Sequence, residues 1–146
     1  MNTQQQIDRL IGALDVAGRR STPQRYAVCQ ALVEHGGHPT VAEIFERVRE
    51  TFPMISQATI YNTVDTLCSL GLLLPLELNT DGHTHYDLDP TPHVNLVCNH
   101  CGAIVDLHPN LLEGLLMQVG DQSGYRIDRA NPLVIYGVCA ECIPTR

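Results

Sequence analysis

The sequence predicts an α+β fold, with a helical N-terminal half and a smaller half that combines short strands with one helix. Apolar residues recur at helical spacing in four stretches before residue 71, and shorter alternating stretches typical of strands follow. Two Cys-x-x-Cys pairs lie in the second half. With 146 residues, of which 44% are hydrophobic, the chain is long enough to build a core without covalent staples.

The charge distribution differs between the two halves. All nine cationic side chains are Arg, and the formal net charge is -7. Residues 1–75 carry six Arg against seven acidic residues, whereas residues 76–146 carry three against nine. This acidity argues against nonspecific coating of nucleic acid, but it leaves room for a local basic surface.

The opening residues lack the basic and apolar blocks of a signal peptide, and no apolar run is long enough to span a bilayer. We therefore expect a cytoplasmic protein with no membrane partner.

The first two predicted helices have clear ends. Apolar residues from Ile7 to Leu14 recur at helical spacing, and Gly18 follows as a C-terminal stop. Thr22 is a typical N-cap, and Pro23 occupies the first helical position of the second helix.

The next two predicted helices also carry start and stop signals. Thr40-x-x-Glu43 has the pattern of a capping box, and the helix that it starts must end before Pro53. Ser56 is the N-cap of a fourth helix, which ends at Gly71.

Residues 72–88 are predicted to form two strands joined by a turn at Asn79–Gly82. Three helices followed by a two-stranded wing make a winged helix-turn-helix domain, which we assign to residues 1–86 with Ser56–Leu70 as its recognition helix. Such a domain binds double-stranded DNA through the outward side chains of that helix and through nearby arginines.

The residues expected to contact DNA are Arg19, Arg20, Arg25, Gln57, Thr59, Tyr61 and Asn62. The alternative is that Tyr61 and Asn62 merely solvate an exposed helix face. The acidic neighbour Asp65 weakens the electrostatic case for DNA.

Residues 87–146 are predicted to form a second, small α/β domain. Short strands in "HVNLVC" and "AIVDL" precede a helix in "PNLLEGLLMQVG", and "YRIDRANPLVIYGVC" supplies further strand. A unit of this size buries little core alone, so we expect either pairing with a second copy, which would make it a dimerisation domain, or a metal staple.

Six cysteines without a signal peptide favour metal ligands or free thiols over disulfides. Two Cys-x-x-Cys turns can close a tetrahedral four-cysteine zinc site, and the residues concerned are Cys98, Cys101, Cys139 and Cys142. A redox pair is disfavoured because neither motif is followed at once by a helix. Cys29 and Cys68 lie in apolar helical patterns and are expected to be buried.

A second group of metal-ligating residue types contains no thiol. Because side chains alternate along a strand, His93 and Asn95 share one face, as do His85 and Asp87 further upstream. Asp106 follows the first cysteine pair. Imidazole and carboxylate ligands suit Fe²⁺, Mn²⁺ or Zn²⁺, although each such residue alone is more often a solvated polar side chain.

Four stretches, "GHPT", "ATIYNTVDTL", "HVNLVCNHCG" and "YGVCAEC", occur in an order that closely resembles the ferric uptake regulator family of metal-responsive repressors. The resemblance covers nearly the whole chain. It implies a homodimer that binds palindromic operators when a regulatory metal between the two domains fixes the winged helices.

The resemblance also implies a regulatory ligand set, namely His38, Asp87, His93 and Asp106. Aspartate at both carboxylate positions is similar to the peroxide-sensing branch rather than to the iron-sensing branch. Asn95 departs from the pattern, because the family usually has a second histidine there and an amide oxygen is a weaker ligand for a transition metal. Either Asn95 ligates through oxygen, or His85 takes over.

We therefore expect a metal-dependent transcriptional repressor, not an enzyme, that senses peroxide through a regulatory Fe²⁺ or Mn²⁺. One alternative is a sensor that responds to iron or manganese supply and never to peroxide. Two alternatives from other classes are a zinc-ribbon interaction module without a DNA partner and, least favoured, a metal-dependent oxidoreductase.

Overall fold

The structure, a computed structural model, describes residues 1–89, 91–128 and 132–144. These residues divide into two compact units. Unit 1 comprises Met1–Leu78 and His83–Pro90, and unit 2 comprises Asn79–Gly82 and Thr91–Arg146. Asp87, the first residue of the predicted second domain, lies in unit 1.

Unit 1 contains four helices, and the predicted order of helices is confirmed. They are α1 (Thr3–Val16), α2 (Pro23–His35), α3 (Val41–Arg49) and α4 (Gln57–Ser69). The Thr22 hydroxyl accepts a hydrogen bond from the backbone N–H of Arg25, and the Ser56 hydroxyl accepts one from that of Thr59. Both predicted N-caps therefore satisfy backbone donors that the first turn of a helix leaves unpaired.

The predicted capping box of α3 is only half formed. The Thr40 hydroxyl accepts from the backbone N–H of Glu43, as expected. The Glu43 carboxylate, however, lies 2.7 Å from Nε2 of His35, the last residue of α2. The carboxylate thus contacts the end of α2 instead of the cap, and α3 is tied to α2 at this end.

The core of unit 1 forms where the apolar stripes of the four helices meet. Helix α4 contributes three side chains with 0% exposure, Ile60, Val64 and Leu67. Cys29 also has 0% exposure, which confirms its prediction as a buried small side chain, and Cys68 packs partly buried against the same core.

The predicted wing is an antiparallel hairpin of β1 (Leu74–Glu77) and β2 (Thr84–Asp87). The turn between the strands includes Gly82 with φ of 71°, a left-handed conformation that favours glycine. Leu74 pairs with Asp87 and Leu76 pairs with His85.

Unit 2 is built on a three-stranded sheet with the order β4-β3-β5. The central strand β3 (Val94–Cys98) pairs antiparallel with β4 (Ile104–Leu107) and parallel with β5 (Leu133–Gly137). Helix α5 (Leu112–Ser123) lies between β4 and β5 in the chain. The parallel pairing is possible because a long connection, rather than a hairpin turn, separates β3 from β5.

In the part of the chain that the structure describes, none of the helices has the length and apolar character required to cross a membrane.

Substitution of Leu67 by Ala is expected to destabilise unit 1 by about 2–5 kcal/mol, because the fully buried side chain leaves a cavity in the core. Leu70→Ala, at the exposed C-cap of the same helix, is the matched control and should cost less than about 1 kcal/mol. Urea unfolding followed by far-UV circular dichroism measures both. Equal losses for the two variants would contradict this account of the core.

Candidate metal centres

Unit 2 brings the four predicted zinc ligands together. Cys98 is the last residue of β3, and its Cα pairs with that of Gly137 at the end of β5, two residues before Cys139. The parallel pairing therefore sets the two Cys-x-x-Cys turns side by side. The four sulfur atoms all lie within 4.8 Å of one another, and Sγ of Cys101 is 3.8 Å from Sγ of Cys139.

The surroundings of these sulfurs favour a thiolate at Cys98 and a protonated thiol at Cys142. Backbone N–H groups, first that of Cys101 and then that of Cys139, lower the pKa of Cys98 to about 6. The Cys139 N–H lies 3.3 Å from Cys98 Sγ. Hydrogen bonding to the Cys139 sulfur raises the pKa of Cys142 to about 12, since closely spaced sulfurs share protons when no cation balances them. Four converging sulfurs of this kind suit a structural Zn²⁺.

Unit 1 holds the first pair of predicted regulatory ligands. His38 Nε2 lies 3.8 Å from Asp87 Oδ2, and the two side chains are 7% and 4% exposed. Asp87 is the last residue of β2, and its Oδ1 accepts a hydrogen bond from the backbone N–H of Asp89 at 2.8 Å. That bond holds one carboxylate oxygen and orients the other toward His38.

Backbone pairing places His38 next to the wing. The N–H of Tyr86 donates to the carbonyl of Pro39 at 2.9 Å, and Thr40 forms an isolated bridge with His85. His85 Nδ1 lies 2.7 Å from the His38 carbonyl oxygen. Because a carbonyl can only accept, Nδ1 of His85 carries the proton and donates it. His85 thus fixes the main chain of His38.

Unit 2 holds the second pair of predicted ligands. His93 Nε2 lies 3.7 Å from Asp106 Oδ1, and the His93 side chain is only 3% exposed. His93 Nδ1 donates to the carbonyl of Thr91 at 2.7 Å. The proton on Nδ1 leaves the lone pair on Nε2, the tautomer that an imidazole needs in order to bind a metal ion.

Asn95 occupies the strand position directly opposite Asp106, in the middle of the sheet of unit 2. It has 0% exposure. Its Nδ2 donates to the Leu133 carbonyl at 3.4 Å, whereas its Oδ1 finds no hydrogen-bond partner within the described residues. A buried polar atom without a partner costs about 1–3 kcal/mol, so this oxygen fits a site that receives a cation.

Unit 1 exposes most of the residues predicted to contact DNA. Gln57, Tyr61 and Asn62 lie exposed on α4. Thr59 is half-buried, and its hydroxyl hydrogen-bonds with that of Ser56 at 3.1 Å, so its contribution is to the start of the helix.

Arg19 and Arg20 are exposed on the loop before α2. Arg25 is half-buried, and its Nη1 donates to the Arg20 carbonyl at 2.5 Å. That contact holds Arg25 against the loop that carries the other two arginines.

Sequence reasoning missed His108, whose ring lies 5.1 Å from that of His93 between centroids. His108 follows Asp106 by two residues. In an extended chain this spacing places both side chains on one face, and it was the signal in the sequence that could have identified His108. The Asp89 N–H and the Thr91 carbonyl were also missed, because backbone groups that orient ligands leave no residue-type signature.

Comparisons with known proteins give the context of these sites. Residues 16–134 match the sequence model of the Ferric uptake regulator family. A relative from Staphylococcus epidermidis, "Peroxide-responsive repressor PerR", is 36% identical over 137 residues, which cover 94% of this chain and 90% of the relative.

Solved structures of similar fold include the Campylobacter jejuni peroxide stress regulator, at a TM-score of 0.69 and 26% identity, covering 97% of this chain and 100% of that one. The Helicobacter pylori ferric uptake regulator Fur superimposes with a TM-score of 0.82 over 99% of this chain and 96% of that one, and at 20% identity this likeness concerns the fold alone.

The predicted winged-helix α+β architecture is thereby confirmed, and the family match extends across both units. The chain belongs to the ferric uptake regulator family of metal-responsive regulators.

Proposed function

We propose that the protein is a DNA-binding transcriptional repressor that senses peroxide through a regulatory Fe²⁺ or Mn²⁺. The observation that carries this proposal is the buried His38–Asp87 pair of unit 1 in a chain whose relatives include a peroxide-responsive repressor. Its role is binding and regulation rather than turnover of a substrate. Because its proposed partner is operator DNA, we expect the protein to act in the cytoplasm.

The proposed regulatory ligands are His38, Asp87, His93, Asn95 and Asp106. Each pair combines an imidazole with a carboxylate, a donor set that suits Fe²⁺ and Mn²⁺. We assign His85 a supporting role at His38, because its Nδ1 donates to the His38 carbonyl. Like His93, it keeps the lone pair on Nε2, so His85 stays the alternative ligand to Asn95. A histidine that holds a neighbouring ligand in place is a common companion of a metal site.

Charge provides the coupling between metal and DNA. Carboxylates gathered in a small space repel one another, and they also repel the phosphates of DNA. A divalent cation neutralises the carboxylates. The conformation in which the ligands are close together binds this cation more tightly than other conformations do. The metal therefore raises the population of the DNA-competent state in proportion to this difference in affinity.

Fe²⁺ held by these ligands would activate peroxide toward a ligand ring: one peroxide oxygen would add to the imidazole, which gives up two electrons, and the other would leave as water. His38 and His93 are the imidazoles nearest to that chemistry, and both are buried with defined surroundings. Oxidation of either ring removes a nitrogen ligand, so the metal-dependent affinity for DNA falls.

Exposed side chains support the proposed partners. Gln57, Tyr61 and Asn62 on α4 can reach base edges, and Arg19 and Arg20 can meet phosphates. A palindromic operator requires a twofold-symmetric protein.

One face of the unit 2 sheet supplies a surface for a second copy, because it exposes the apolar side chains of Val105, Leu107, Leu133 and Ile135. Burial of this face in a homodimer removes it from water and yields that symmetry.

Asp87→Asn is expected to weaken metal binding by at least about tenfold, since it removes a charged ligand, and to abolish metal-dependent binding to a palindrome from the protein's own promoter. Fluorescence anisotropy at fixed salt measures operator affinity against Mn²⁺ concentration. Asp8→Asn, at an exposed position of α1, is the control and should behave as wild type. Unchanged metal dependence in Asp87→Asn would refute the assigned site.

Anaerobic loading with Fe²⁺ followed by a brief peroxide pulse is expected to add oxygen to His38 or His93, whereas Mn²⁺-loaded protein remains unmodified. Peptide mass spectrometry locates the oxygen, and the exposed His83 is the internal control. Fe²⁺-loaded protein that stays unmodified and keeps its operator affinity would instead identify a sensor of metal supply.

Cys101→Ser is expected to lower the zinc content from about one ion per chain to almost none and to make unit 2 sensitive to protease, since a structural zinc site needs all four ligands. Cys68→Ser, outside the cluster, should keep its zinc. Metal analysis combined with limited proteolysis tests both variants. A protease-resistant, zinc-free Cys101→Ser protein would show that unit 2 needs no metal staple.

A further inference from the structure

Asn95 lies at the centre of the unit 2 sheet, on the middle strand β3. Its Cα pairs with that of Asp106 on one side and with that of Val134 on the other. Residues directly opposite each other in an antiparallel pair project from the same face, with Cβ atoms about 5 Å apart. The amide of Asn95 and the carboxylate of Asp106 are therefore neighbours on a single face.

The polar atoms gathered at this position are acceptors. His93 donates its proton from Nδ1 to Thr91, so its Nε2, 3.7 Å from Asp106 Oδ1, presents a lone pair. Asp106 contributes carboxylate oxygens. The Asn95 Oδ1 is fully buried and has no hydrogen-bond partner among the described residues. Buried polar atoms are almost always satisfied, and a cation bound here would satisfy the Asn95 oxygen together with the neighbouring carboxylate of Asp106.

We infer that Asn95 is a specificity-determining residue whose amide oxygen biases the regulatory site toward Mn²⁺ and away from metals that prefer imidazole. This inference rests on the proposed function, because it concerns the same regulatory site. With Asn95 as an oxygen ligand, unit 2 offers one imidazole and two oxygen ligands, from His93, Asp106 and Asn95. An imidazole at position 95 would give two nitrogens and one oxygen instead.

The balance of nitrogen and oxygen ligands changes the ratio between the affinities for different metals. It does not change which metal binds most tightly. Among the first-row divalent transition metals, Mn²⁺ generally binds most weakly to a given site. Nitrogen ligands increase the difference in affinity between Mn²⁺ and Co²⁺ or Zn²⁺, whereas carbonyl and carboxylate oxygens suit Mn²⁺. Zinc has a separate set of thiolates in Cys98, Cys101, Cys139 and Cys142. An oxygen at position 95 thus makes the two metal sites chemically unlike.

The test titrates Mn²⁺ alone and Co²⁺ alone into the full-length protein with its zinc retained, in wild type, Asn95→His and Asn95→Leu. Asn95→His is expected to raise Co²⁺ affinity about tenfold while changing Mn²⁺ affinity less than about threefold. Asn95→Leu has nearly the same shape but no atom that can bind a metal ion, so the affinities for Mn²⁺ and Co²⁺ should both fall about tenfold. Gln118→His, which adds an imidazole on the exposed side of α5, is the control and should leave the ratio unchanged.

A second measurement counts ligands directly. Pulsed electron paramagnetic resonance of the Mn²⁺ protein should detect one more imidazole nitrogen in Asn95→His than in wild type. This nitrogen count depends neither on DNA binding nor on the Asn95→Leu variant. Zinc content and circular dichroism check whether Asn95→Leu is folded.

The outcomes separate the two proposals. If wild type binds Mn²⁺ and its operator binding depends on the metal, but Asn95→His leaves both the Mn²⁺ to Co²⁺ ratio and the nitrogen count unaltered, then Asn95 is not a determinant and the proposed function stands. If wild type binds no Mn²⁺, the regulatory site itself is wrong, and the role of Asn95 is overturned with it.

Discussion

Electrostatic repulsion among gathered acceptors is the constraint on which this protein depends. Four sulfurs within 4.8 Å of one another in unit 2, and an imidazole beside a carboxylate in each unit, are all arrangements that need positive charge. Arg47 and Arg49 pair with glutamates on the helices of unit 1 rather than with these acceptors. Where ligands gather in this way, a metal ion supplies the charge balance, and the folded state becomes sensitive to metal supply.

The backbone, rather than the ligands themselves, sets the geometry of these sites. His38 is held by the pairing of Pro39 and Thr40 with the second wing strand, and the His85 ring adds a hydrogen bond to the His38 carbonyl. Asp87 ends that same strand. A ligand held through main-chain pairing loses little further conformational entropy on binding, so more of the metal's affinity is retained.

Much of this organisation could be predicted from the sequence because it is encoded locally. Thr22 and Ser56 cap the helices that their positions indicate, and the cysteine spacing identifies the thiolate cluster. The failures came from competition between distant groups. Glu43 binds His35 instead of completing a capping box, and nothing within the Thr40–Glu43 stretch reveals that partner. The same holds for the acceptor environment of Asn95, which depends on the pairing of three separate strands.

The parallel pairing of β3 with β5 has a consequence for how unit 2 remains folded. The chain between Cys101 and Cys139 includes two strands and a helix, and the thiolate cluster closes this whole segment into a loop. Closing a loop of this length removes conformational entropy from the unfolded chain, in the same way as a disulfide of similar span, where the effect amounts to several kcal/mol. Coordination therefore acts as a reversible cross-link, and it allows a small sheet with long-range contacts to remain stable under reducing conditions in which a disulfide would be lost.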